Sequence, residues 1–231
     1  MIDKVDSLGN ELSKEQQEFF KDSKVVKGNK LLVCYHGTGS NFRTFKNAIN
    51  WFSIDKNYTT QFANFRSNNN QVTYEVYLNC KHLFNCGDTN GRVYGLIPTI
   101  EDFQPNMKRI FDGLGLNENE CKEFIKKVIE ERDKEGYIDD SISCYKYKLK
   151  VHIVTRTKVF RDLVKSKGYD GVITREENGS VCFGVFDPSD IKLVSNKKPT
   201  LSPNIDEVLN KRGAKLNDRE ALKVLSSVDE L

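Results

Sequence analysis

A chain of 231 residues with 30% charged and 10% aromatic residues has the make-up of a globular protein able to bury a real core, which excludes a disordered class. Its formal net charge of +3 sets up no strong field to gather nucleic acid and leaves only a local basic patch for that role. Met1-Ile2-Asp3-Lys4-Val5-Asp6 lacks the apolar run of a signal peptide, and no stretch reaches transmembrane length. With six cysteines in no C-x-x-C pair, this predicts a cytoplasmic protein with reduced thiols, no zinc knuckle and no membrane partner.

In chain order, residues 1–11 read as a loose lead-in. Ser13-Lys14-Glu15-Gln16 has the S-x-x-Q form of a capping box and predicts a helix over 14–22. Gly28-Asn29 turns the chain into an apolar strand over 31–35, and His36-Gly37-Thr38-Gly39-Ser40 is expected to end it in a flexible turn. Trp51-Phe52-Ser53 is a brief aromatic strand. Asp55 is placed to cap a helix with Tyr58, Phe62 and Phe65 on one face. A loop over 67–70 leads to an alternating strand, 72–78. Residues 84–116 give no clear pattern.

Asn117 to Glu135 is the clearest helix. Cys121, Phe124, Ile125, Val128 and Ile129 recur at helical spacing, and Gly136 stops it. A strand over 147–154, a helix over 157–167 and strands over 171–174 and 181–186 follow. Glu177-Asn178-Gly179 joins the last two. After Asn196 the composition shifts to a linker and a helical tail, 197–231. The domain proper is therefore placed at 12–196, of α+β class.

Each chemistry-bearing motif has a plain structural reading when taken alone. His36 suits a solvated turn, Trp51 and Phe52 suit a core, and Phe62 at helical spacing from Tyr58 suits packing. Their order says more. Tyr35-His36-Gly37-Thr38, Trp51-Phe52-Ser53, Phe62 and a late Phe183-Gly184-Val185-Phe186-Asp187-Pro188-Ser189-Asp190-Ile191-Lys192 together resemble the ADP-ribosyltransferase superfamily, on its His-Tyr-Glu branch. They are similar to bacterial and phage domains of that kind in polyvalent and phage-head-associated proteins. The resemblance spans about 11–196.

The resemblance implies a split antiparallel β-sheet core with flanking helices. It implies NAD as substrate and no metal. NAD would be held by Tyr35, His36, Gly37, Thr38, Trp51, Phe52, Ser53 and Phe62. His36 would bind a ribose hydroxyl, Gly37 the nicotinamide carboxamide through its backbone, and Thr38 the adenosine side. Trp51 and Phe62 would flank the nicotinamide ring. Breaking the nicotinamide–ribose bond develops positive charge on the sugar, so positioning and electrostatics carry the catalysis.

The pattern departs from the family at one place. Where the branch has its glutamate, this chain has Cys182, and an unperturbed thiol is mostly neutral at pH 7. Glu176 or Glu177, in the turn before that strand, are candidates to replace it, although their plain reading is a solvated hairpin tip. The catalytic set is thus His36, Trp51, Cys182 and Glu177. The implied activity is mono-ADP-ribosylation of a protein or nucleic-acid acceptor, in a bacterium or a phage-infected host. The competing reading is a catalytically degenerate fold acting as a binding or phage structural module. An RNA 2′-phosphotransferase shares the His-Gly-Thr turn, but Arg43, Arg66, Arg156 and Arg175 do not match its arginine pattern.

Overall fold

The computed structural model describes residues 2–46, 48–66, 71–88, 105–134, 154–176 and 178–206. Helix α1 (Lys14–Phe19) starts on the expected capping box: Ser13 Oγ accepts the Gln16 amide at 3.0 Å, and Gln16 Oε1 accepts the Ser13 amide at 2.9 Å. It ends earlier than expected. A small hairpin, β1 (Val26–Lys27) and β2 (Lys30–Leu31), turns at Gly28, whose φ of 63° favours glycine.

Next come β3 (Cys34–Thr38), β4 (Asn50–Ser53), α2 (Lys56–Arg66), β5 (Val72–Leu78) and β6 (Leu83–Asp88). After them lie α3 (Pro105–Gly113), α4 (Glu118–Lys134), α5 (Lys158–Ser166), β7 (Gly171–Arg175), β8 (Val181–Val185) and β9 (Ile191–Leu193). The expected strand over 147–154 falls, save Val154, outside the described residues. So do the side chain of Phe65 and the tail from 207 on.

Among the described residues the main sheet runs β6-β7-β8-β4-β3-β5-β9. Its pairs are antiparallel except β6–β7, which is parallel. One face of β6–β8 and β4 packs against α3, α4 and α5. The stripe expected on α4 is buried there: Cys121, Phe124, Ile125 and Val128 meet Phe84, Phe160 and Val172. Glu131 of α4 also accepts the Lys158 and Val159 amides at 2.5 and 2.8 Å, so it caps the neighbouring helix.

The opposite face is covered by chain without regular structure. Phe45 and Ile205 close over Phe52, Val76, Phe183 and Val185. The supposed linker is therefore packed on the domain as far as Asp206. Leu193 donates its amide to the Ile205 carbonyl, and Ile205 donates its own to Arg43. The lead-in is likewise not loose. Ile2 is buried with Leu12, Phe20 and Tyr77, and fully buried Asp6 accepts the Tyr77 hydroxyl at 2.8 Å.

The described cysteines, Cys34, Cys80, Cys86, Cys121 and Cys182, are all free and buried; Cys144 lies outside the described residues. Burial pushes each thiol above its ordinary value of 9.0. In the unfolded chain these thiols ionise near 9, while in the folded chain they stay protonated. Their contribution is complete below that value and is lost as pH rises past it. Buried Lys192 opposes this with one proton, because burial lowers its ammonium to about 8. The thiols outnumber it. The melting temperature should thus fall steadily once pH passes 9, and fall less in Cys34→Val. A flat alkaline profile would contradict the burial of these groups.

Candidate active site

Strand pairing assembles the site. Thr174 pairs with Cys182, Cys182 with Ser53, Ser53 with Tyr35, and Tyr35 with Glu75. Side chains of directly paired residues project to the same face. One polar row thus crosses five strands, from β7 to β5. The N-terminal turn of α2 lies along it. Asp55 caps that helix as expected, its Oδ1 accepting the amides of Asn57 (2.9 Å) and Tyr58 (3.1 Å). Lys56 reaches Glu75 at 2.8 Å and lies over the Tyr35 ring.

Gly37 lies in β3, not in a turn, and its φ is not positive. Its lack of a side chain serves a different end. A Cβ there would fall 1.9 Å from the Thr59 carbonyl oxygen, so the glycine lets the backbone of α2 settle on β3. Gly184 does the same for Trp51: its Cβ would meet Trp51 at 3.2 Å, as well as Val172 and Ile49. A local reading of His36-Gly37-Thr38 as a turn fails because this glycine answers to tertiary packing.

The sequence-predicted residues divide between the two faces. Tyr35, Gly37, Trp51, Ser53 and Cys182 share the face covered by α2, where Phe62 and Tyr58 meet edge to face at 5.1 Å. By strand alternation, His36, Thr38 and Phe52 belong to the other face. His36 is ringed there by Phe45 (5.1 Å), Phe52 (5.4 Å) and Phe42 (6.1 Å). Two features bridge the division. The β3–β4 ladder holds the single pair Tyr35–Ser53, and beside it His36 Nδ1 lies 2.8 Å from the Trp51 carbonyl. A carbonyl only accepts, so Nδ1 carries the proton. His36 therefore bridges the two strands where their ladder stops.

Trp51 packs partly against the α3–α5 cluster, and its buried indole Nε1 has no hydrogen-bond partner among the described residues. Ser53 donates to the Val181 carbonyl at 3.0 Å and accepts the Asp55 amide at 3.1 Å, which ties β4 to the start of α2. Cys182 is 5% exposed. Burial, and next the nearby charge of Glu176, push its thiol up to about 12. A thiol held there is neutral at physiological pH and carries no negative charge.

Glu177 lies outside the described residues. Its neighbour Glu176 is no solvated hairpin tip: it is half-buried, accepts Thr174 Oγ1 at 3.1 Å, and lies near enough to Tyr58 for its charge to help raise that hydroxyl. Arg156, just before α5, lies close enough to act electrostatically on both Tyr58 and Cys182. Thr59, Tyr58 and Arg156 were not singled out for this site in the sequence. Asp55 as a cap gave the one usable signal, because it fixes the phase of α2 over the sheet. A groove of about 270 Å³ between α4 and α5, lined by Lys127, Glu130, Glu131, Lys134, Lys158 and Val159, contains none of these residues.

A family model described as "ADP-Ribosyltransferase in polyvalent proteins" matches residues 27–201. No curated protein and no solved structure matches the chain.

Proposed function

Because the chain belongs to the ADP-ribosyltransferase family found in polyvalent proteins, we propose that it binds NAD and moves one ADP-ribose unit to a protein or nucleic-acid acceptor. In that reaction the bond between the ribose C1′ and the nicotinamide nitrogen breaks, and its electron pair leaves with nicotinamide. The acceptor atom forms the new bond to C1′ and loses a proton.

The observation that carries this reading is the parting of β3 and β4. Their ladder reduces to Tyr35–Ser53, and His36, Gly37, Trp51 and Phe62 all lie on elements that meet there. That parting also supports a split sheet of the His-Tyr-Glu branch, with Trp51 in the tyrosine's place. Aromatic faces suit a planar leaving ring, and fixed polar groups suit a ribose. The free thiols support the cytoplasm of a bacterium or phage-infected cell as the setting.

The expected results are nicotinamide release from NAD and transfer of labelled ADP-ribose to lysate components, both lost in His36→Ala. Titration calorimetry with NAD is the companion measurement. Binding without nicotinamide release would favour the second reading, a binding or structural module. That reading draws on the neutral thiol at Cys182. No binding at all would sink both the enzyme and an NAD-binding role.

A further inference from the structure

The row carries a carboxylate at its far end, Glu75, which is paired with Lys56 at 2.8 Å; at the Cys182 end it has none, yet a carboxylate reaches that position from outside the row. Glu176 leaves β7 in the turn to β8. Its amide donates to the Ser180 carbonyl and its carbonyl accepts the Gly179 amide, both at 2.8 Å, so its backbone is fixed. Period two along the strand puts Val172, Thr174 and Glu176 on one face. The side chain accordingly folds back over the sheet, with Thr174 Oγ1 donating to Oε1 at 3.1 Å. Thr174 is 2% exposed and is the cross-strand partner of Cys182. From above, Tyr58 of α2 lies close enough for the Glu176 charge, after burial, to push its hydroxyl above its ordinary value. Glu176 is thus held between the row and the helix, beside Cys182.

Among the described residues Asp55 is the other carboxylate acting on Cys182, and it is engaged otherwise. Its Oδ1 takes two amides of the α2 cap, and its Oδ2 takes the Ser180 hydroxyl at 3.2 Å. Glu176 accepts a side-chain hydroxyl, that of Thr174. A ribose hydroxyl can replace such a hydroxyl donor without unmaking a helix.

We propose that Glu176 supplies the anion of this site, in the strand-start position where Cys182 cannot; this rests on the NAD-cleaving reading above. As the C1′–N bond breaks, the electron pair goes to nicotinamide and positive charge grows on the ribose. A fixed carboxylate beside the sugar stabilises that charge more than it stabilises bound NAD. It accepts a hydrogen bond from a ribose hydroxyl and takes the proton that the acceptor gives up. Thr174 is a positioning residue, which keeps the carboxylate turned inward, and Tyr58 lies over it.

The test compares nicotinamide release, NAD titration and melting temperature in the full chain and in Glu176→Gln, with Asp55→Asn beside them. Asparagine is as good a helix cap as aspartate. Glu176→Gln should lower kcat by about 100-fold, with NAD affinity and melting temperature held, while Asp55→Asn keeps its turnover. Adding Cys182→Glu to Glu176→Gln should return part of the rate.

Glu176→Gln turning over like the full chain overturns the assignment to Glu176 and leaves the NAD-cleaving reading standing. A rate lost only in step with affinity and melting temperature assigns Glu176 a structural part and overturns it too. A full chain that releases no nicotinamide removes both the reading and this assignment.

Discussion

A chain cut after Asn196 should lose most of its stability, whereas one cut after Asp206 retains every contact described for this segment. The segment between them looks dispensable by composition, but three losses follow its removal. Ile205 is 1% exposed in the cluster with Phe52, Phe183 and Val185. Emptying a buried aliphatic site of that size costs about 2–5 kcal/mol.

Lys192, also 1% exposed, donates its Nζ to the carbonyls of Ser202 (2.5 Å) and Asn204 (3.0 Å). Stripping a buried charge of its partners costs up to about 3–5 kcal/mol, a ceiling here because the Asp190 and Asp187 carboxylates stay near Lys192. Finally, Ser13 loses the Lys197 carbonyl, and Glu11 loses the Lys197 ammonium. The first two terms together rival the whole stability of a typical domain, about 5–15 kcal/mol.

Lys192 can escape part of its penalty by losing its proton, since burial already brings it to about 8. The truncated chain should therefore be less impaired at pH 9 than at pH 7. Urea unfolding of chains 1–196 and 1–206 measures the difference. Equal midpoints would show that the segment contributes nothing.

Gly37→Ala should lower both the melting temperature and the affinity for NAD. The added Cβ meets the Thr59 carbonyl oxygen at 1.9 Å, the Thr59 carbonyl carbon at 2.8 Å and the Ala63 amide nitrogen at 3.2 Å. All three are backbone atoms of α2 and cannot rotate away. The helix must retreat by roughly 1 Å to restore ordinary contact. Overpacking of this kind costs about 1–3 kcal/mol, or a melting point lower by about 3–9 °C. The retreat also carries Tyr58 and Phe62 away from the polar row.

Gly184→Ala is the informative comparison. Its Cβ meets the ends of side chains, Val172 Cγ2 at 2.7 Å and Ile49 Cγ2 at 2.9 Å. Those can shift, so the loss should be smaller. If Gly37→Ala melts with the parent chain, α2 is not seated on β3 as described.

The elements most legible in the sequence are those specified by neighbours along the chain. The capping box at Ser13–Gln16 locates α1, the apolar stripe locates α4, and Asp55 and Thr157 locate two helix starts. Strand β6 was not legible. Its partner β7 is parallel and distant in sequence, and its register shifts between Asn85 and Gly87. At that irregularity α3 comes in: Arg109 fills the space where a Gly87 side chain would stand and donates to the Cys86 carbonyl.

At the candidate site the order of motifs was legible, and so was a thiol, Cys182, in the strand after the hairpin. The division of His36 and Trp51 between faces was not, because it follows from the single pairing of Tyr35 with Ser53. Of the two glutamates the sequence favoured Glu177 for the catalytic set. Period two from Val172 and Thr174 would have favoured Glu176, had the expected strand over 171–174 been carried two residues further.

The aromatic ring around His36 has a bearing on how such a site could be transplanted. Phe42 is pinned by Tyr74, whose hydroxyl accepts the Phe42 amide at 2.7 Å and donates to its carbonyl at 2.9 Å. Arg43 is held by Ile205 through a backbone bond at 2.9 Å, and Thr44 by Asn204 at 3.0 Å. A graft that moved only residues 34–53 to another sheet would carry the histidine and its three phenylalanines. It would leave behind the phenol and the returning strand of chain that fix where two of those rings stand. The smallest portable unit therefore includes Tyr74 and residues 202–206, gathered from three separate stretches of one chain.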